Sequence, residues 1–171
     1  MQIEEWDLLQ DMLVDSARAS FTPTGVECTH RGSVPIKTVT WAQMLSIIGL
    51  GGSLHGSLVV NISNELLIQT HPMKKTGAAE LADWLAELTN LMLGRIKRRL
   101  LAHGIATELS TPLVISATAF RFERFAGVPV VHAFSVGDET FHVIFAAVAE
   151  KDISLKKDPE PTIEAGDIVT F

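Results

Sequence analysis

The stretch from Gly77 to Gly104 constrains this chain more than any other. Good helix formers dominate it, and Gly104 stands where a left-handed C-cap residue belongs, so the pattern predicts one long helix ending near His103. At about 100° per residue, Leu81, Trp84, Leu85, Leu88, Leu91, Met92 and Ile96 form a continuous apolar stripe that must face a core. Asp83, Glu87, Asn90 and Gly94 fall on the opposite side. They advance by four, three and four residues, the spacing that stacks side chains along one line of a helix surface. Asn and Gly cost roughly 0.5 and 1 kcal/mol relative to Ala in a helix interior, so propensity alone would not choose them. An exposed glycine lets another backbone approach closely, and a short amide offers both a donor and an acceptor. Together they suit a docking surface, with an ordinary solvated face as the alternative.

Elsewhere the period changes from helical to strand-like. Residues 3 to 18 place Trp6, Leu9, Met12 or Leu13 and Ala17 on one side of a first helix. "VPIKTVTW", "MLSIIGLGG" and "SLHGSLVVNIS", within 34 to 63, read as strands, the last two paired as a hairpin through Gly51-Gly52-Ser53. Ser63-Asn64 offers an N-cap and Pro72 a stop, which predicts a short helix between them. After the long helix, "TPLVISATAF", "VPVVHAFSVG" and "ETFHVIFAAVAE" read as strands, with Gly137-Asp138 as a tight turn between the last two. The order of helix, strands, two helices and strands implies an α+β fold, a largely antiparallel sheet packed against helices. Residues 1 to 150 form one domain in this reading, and the charged, proline-bearing 151 to 171 a C-terminal tail.

A net charge of -6 speaks against a nucleic-acid binder. The basic cluster Arg95 to Arg99 closes the long helix, where it complements the dipole and the last carbonyls. Cys28 stands alone, no export signal is recognisable, and every apolar run falls short of the eighteen or so residues of a membrane span. A cytoplasmic protein with no membrane segment is expected. The histidines at 30, 55, 71, 103, 132 and 142 lack metal-ligand spacing; His132 and His142 read as satisfied strand histidines, with a pair facing each other across the last hairpin as the alternative. "GLGGS" at 49 to 53 joins two strands and lacks the features of a phosphate loop.

Asp83, Glu87 and Asn90, followed by Pro112, carry a resemblance. The chain resembles the CheX and CheC type of chemotaxis phosphatases, the group that includes FliY, whose signature is Asp or Ser, three residues, Glu, two residues, Asn and, some twenty residues on, Pro. "ELTNLMLG", with Gly94 four after Asn90, and the glycine-bearing hairpin "GLGGSLHGSLVVNIS" are similar to the family pattern, over about residues 4 to 148. The tail has no counterpart in it. The first helix has no Asn three residues after an acid, so one site per chain is expected, as in CheX-like rather than CheC-like members.

The resemblance implies a domain that dimerises through its sheets and hydrolyses the aspartyl phosphate of a response regulator such as CheY, within two-component signalling. The phosphatase would bring no metal of its own, because the regulator holds Mg²⁺. Asn90 is expected to orient the attacking water, as a glutamine does in GTPases, and Glu87 to pair with a lysine of the regulator. Asp83 would lie at the rim, and Gly94 would leave room. The rival reading is a non-catalytic receiver-binding or flagellar-switch adaptor of the same fold.

Overall fold

The computed structural model describes residues 3–120, 122 and 124–150. Three helices, α1 (Ile3–Phe21), α2 (Asn64–Thr70) and α3 (Ala78–Ala102), pack on one face of a seven-stranded antiparallel sheet. Its strands are β1 (Thr29–Val34), β2 (Met44–Gly52), β3 (Leu54–Ile62), β4 (Thr107–Leu109), β5 (Leu113–Ser116), β6 (Val130–Val136) and β7 (Glu139–Ala149). They lie in the order β1-β6-β7-β3-β2, and β4 and β5 share the outer edge of β2. The α+β class expected from the order of elements is the class observed.

Alternation along β2, β3 and β7 divides their side chains between two cores. Met44, Ile48, Leu58, Val60, Ile62, Phe141, Val143 and Phe145 point toward the helices, and Phe134 stacks on Phe141 there with ring centroids 5.1 Å apart. Leu45, Val59, Val131 and Ile144 point the other way. Both hairpins form as expected. Val136 pairs with Glu139 across the two-residue turn Gly137-Asp138, and Gly137 takes φ +59°, a left-handed value that glycine adopts without strain.

Helix ends follow the sequence closely. Ser63 Oγ accepts the Leu66 N–H at 3.2 Å and opens α2. At the far end of α3, Gly104 has φ +84°; its N–H donates to Leu101 O and that of Ile105 to Leu100 O. That pair of bonds is a Schellman stop, sealed by buried Ile105.

The strand assignments need correction at two places. "VPIKTVTW" is not a strand beyond Val34. Pro35 cannot donate to a ladder, and residues 36–38 form a 3-10 turn in which the Thr38 N–H and hydroxyl both donate to Pro35 O. Ile36, Val39 and Trp41 are apolar because they cover the second face of the sheet. The strand that does form there, β1, is an edge strand with the polar sequence THRGSV, and its register shifts around Arg31, beside Gly32 at φ +102°. "TPLVISATAF" pairs only over Leu113–Ser116, and the short β4 was not anticipated. The tail from 151 lies outside the described residues.

His132 and His142 do not face each other. His132 pairs with Val143 and His142 with Ala133, so their side chains leave opposite faces of the sheet. His132 is instead buried under α1, 2.6 Å from Gln10 Oε1 and 3.1 Å from His30 Nε2. Burial first, and the neighbouring His30 second, bring its pKa down to about 4, which keeps the ring neutral.

Candidate functional site

The long helix is fixed in rotation by what it buries. Leu81, Leu85, Leu88, Met92, Ile96 and Leu100 are buried in the helix-side core. Trp84 Nε1–H donates to Thr70 Oγ1 of α2 at 3.1 Å, and the Trp84 and His71 rings lie 5.8 Å apart. From α1, Ala19 O accepts a bond from Arg95 Nη2 at 3.4 Å, and Asp15 pairs with Arg99 at 3.2 Å. The buried arc is wider than one stripe. Thr89 and Leu93 are buried, whereas Leu91 is only half-buried. The reason is that α3 packs against both α1 and the sheet, and a single-stripe reading supposes one neighbour. Thr89 bonds its hydroxyl back to Leu85 O at 2.8 Å and so brings no unpaired polar group into the core.

That rotation turns Asp83, Glu87 and Asn90 to solvent, all three exposed, with half-exposed Gly94 on the same line. None of the three polar side chains has a hydrogen-bond or ion-pair partner among the described residues. Three other charged groups of the same helix are engaged: Glu80 lies 3.8 Å from Lys75, and Arg95 and Arg99 hold α1. A Cβ placed on Gly94 would meet nothing within 4 Å. Nothing within the fold therefore requires glycine there, and alanine would favour the helix by about 1 kcal/mol. The line is a carboxylate, a second carboxylate, an amide and a gap, held on a rigid rod and unengaged by the described residues. Pro112 sits half-buried in the loop between β4 and β5, the two edge strands that touch α3.

A family model described as chemotaxis phosphatase CheX matches residues 44–134, more than half of the chain. The chain belongs to the CheX family. The matched segment contains α3 entire, with all four residues of the exposed line. No curated protein matches the chain in sequence. Among solved structures, chemotaxis protein CheX of Vibrio vulnificus superposes with a TM-score of 0.73 at 18% identity, over 82% of this chain and 99% of that one. CheX of Borrelia burgdorferi, solved in complex with CheY, BeF₃ and Mg²⁺, has a TM-score of 0.64 at 19% identity over 80% of this chain and 96% of that one. The FliM middle domain of H. pylori has a TM-score of 0.60 at 9% identity, over 85% and 93%. At these identities the likenesses establish the fold alone. No helix among the described residues is long and apolar enough to cross a membrane.

Proposed function

We infer that this CheX-family protein hydrolyses the aspartyl phosphate of a CheY-type response regulator, through the exposed line on α3. The observation that carries the reading is the combination of family membership with an amide and two carboxylates that have no partner among the described residues. A CheX relative crystallised with CheY, BeF₃ and Mg²⁺ supports a receiver domain as the partner.

The chemistry asked of the chain is small. An aspartyl phosphate is an activated acyl phosphate, and Mg²⁺ is expected on the regulator, so neither a nucleophilic side chain nor a resident metal is needed. What is needed is a water fixed in line with phosphorus, and ordering it recovers part of the entropy that limits spontaneous hydrolysis. The Asn90 amide can orient that water without charge repulsion, whereas a carboxylate at the same place would be repelled by the phosphoryl oxygens. Glu87, one turn back, pairs with a lysine of the regulator in a charge-assisted bond that sets the orientation of the two proteins. Asp83 borders the contact, and Gly94 admits the partner's backbone. Such an enzyme works in the cytoplasm, where receiver domains are found.

The direct test incubates the full chain with several phosphorylated receiver domains and times the loss of label. Acceleration toward at least one is expected, and none toward any would refute the reading. Glu87→Lys is expected to raise KM about tenfold or more, because it sets two cations against each other at the docking point. An unchanged KM would remove Glu87 from the interface. The second face of the sheet leaves Leu113 and Val148 exposed, which supports a homodimer formed through the sheets; sedimentation of the same preparation as a monomer would exclude it.

A further inference from the structure

Away from α3, one cluster of titratable side chains plays no part in the chemistry above. His132 on β6 and His30 on β1 lie under α1, with His30 Nε2 3.1 Å from His132 Nδ1 and the ring centroids 5.1 Å apart. Gln10 of α1 closes the row, its Oε1 2.6 Å from His132 Nε2. The Gln10 Nε2 is buried with no partner among the described residues, so His132 alone holds that amide. Fully buried Phe134 lies against both rings, with centroids 5.1 Å from His30 and 6.4 Å from His132. His132 is 3% exposed, and His30 is half-buried. When both rings are neutral, His132 donates from Nε2 to Gln10 and accepts at Nδ1 from the Nε2–H of His30, so each facing pair shares one hydrogen. A proton added at His132 Nδ1 meets the hydrogen already there, and His30 must carry its own on the far nitrogen instead. A second proton sets two N–H groups and two positive charges head-on at 3.1 Å.

Charges around the pair are few. From α1 come the exposed carboxylates Asp7 and Asp11 and the guanidinium of Arg18, which donates to Cys28 O at 3.4 Å. From β1 comes Arg31, whose Nε donates to Ser135 Oγ at 2.7 Å. β6 carries none besides His132, and His142 of the neighbouring β7 leaves the other face. No carboxylate among the described residues lies within ion-pair distance of either ring. Burial first and His30 second bring His132 down to about 4, with Asp11 opposing them; burial first and Arg18 second lower His30. We propose that Gln10, His30 and His132 form a pH-sensitive latch, which holds α1 on the β1–β6 edge of the sheet while both rings are neutral and lets that edge open on acidification. The place suits a local opening, because β1 is an outermost strand of polar sequence with a shift in its register to β6. On its other side α1 is tied to α3 by the Asp15–Arg99 pair and the Arg95 bond to Ala19 O, so the latch is one of two supports of the helix that braces α3. It stands whether or not α3 carries a phosphatase site.

In the unfolded chain both rings return to the ordinary histidine value of about 6.5. Between that value and about 4 the unfolded state binds more protons, so the stability His132 contributes is complete above the window and lost as pH falls through it. From about pH 7 to about pH 5 the folding equilibrium constant should fall about tenfold or more. The test uses the full chain. Urea unfolding at the two pH values measures the fall, and NMR titration of the ring resonances, assigned with His30→Gln, places His132. Amide hydrogen exchange, corrected for its intrinsic rate, locates the opening: α1 and β1 should lose protection at about pH 5 while β2, β3 and β7 keep theirs. Gln10→Glu, nearly isosteric, sets a carboxylate against His132 Nε2, raises the pKa of the ring and moves its contribution to the acid side, so the fall in stability should shrink. His142, lowered by burial on the other face, contributes to both chains alike. A His132 ring that titrates near 6.5, an equal fall in the two chains, or protection lost evenly across the sheet would each overturn the latch.

Discussion

Replacing Asn90 by Ala should abolish accelerated dephosphorylation, with a fall in kcat of about 100-fold or more, while the affinity for a beryllofluoride-charged receiver stays close to wild type. Asn90 is exposed and makes no side-chain bond among the described residues, so a loss of rate at an unchanged melting temperature does not come from unfolding. Alanine is the better helix former by roughly 0.5 kcal/mol, and the variant should melt at the same temperature or slightly higher. Loss of kcat at unchanged affinity is the signature of an interaction made only in the transition state, and the melting temperature excludes unfolding as its cause. Asn90→Asp sharpens the point, since it keeps the shape and adds a charge that the phosphoryl oxygens repel. A non-catalytic adaptor would tolerate Asp or Ser at this position, so undiminished function in either variant would favour that reading over the enzyme.

Trp84→Ala should cost about 3–5 kcal/mol, the range for removing a large buried aromatic ring. That is a large part of the roughly 5–15 kcal/mol that holds a domain together. Trp84 is 6% exposed and belongs to the core between the helices and the sheet, and its indole N–H reaches Thr70 of α2. The ring is the bolt between the short helix and the first turns of the long one, next in sequence to Asp83. Trp84→Phe keeps most of the packing and loses the bond; the Thr70 hydroxyl still donates to Leu66 O at 2.8 Å, so the cost should be nearer 1 kcal/mol. Urea unfolding midpoints of the two variants measure the difference. A midpoint for Trp84→Ala equal to the parent's would show that the ring does not hold the helix in place.

The two predictions concern opposite sides of one helix, and that division was legible before any fold was known. Asp83 to Gly94 could be placed opposite Leu81 to Ile96 because the α-helical period is fixed by backbone hydrogen bonding and acts within a few residues. The same local physics made the Gly104 stop, the Ser63 cap and the Gly137-Asp138 turn readable, each resting on bonds or a positive φ within one or two turns.

Strand partners were another matter. "VPIKTVTW" is as β-branched as a true strand, yet it lies over the second face of the sheet, while polar THRGSV entered the ladder at the edge. Burial and pairing draw on the same residue types, and only the arrangement of distant segments tells them apart. His132 illustrates the point at one residue. Its position on β6 was evident, but its partners, Gln10 on α1 and His30 on β1, come from more than a hundred residues away. The helix face and the residues on it follow from the order of amino acids, because they depend on local geometry. That nothing among the described residues covers the face follows from the fold, because α1, α2 and the sheet all take the opposite side of α3, and no local rule assigns those positions.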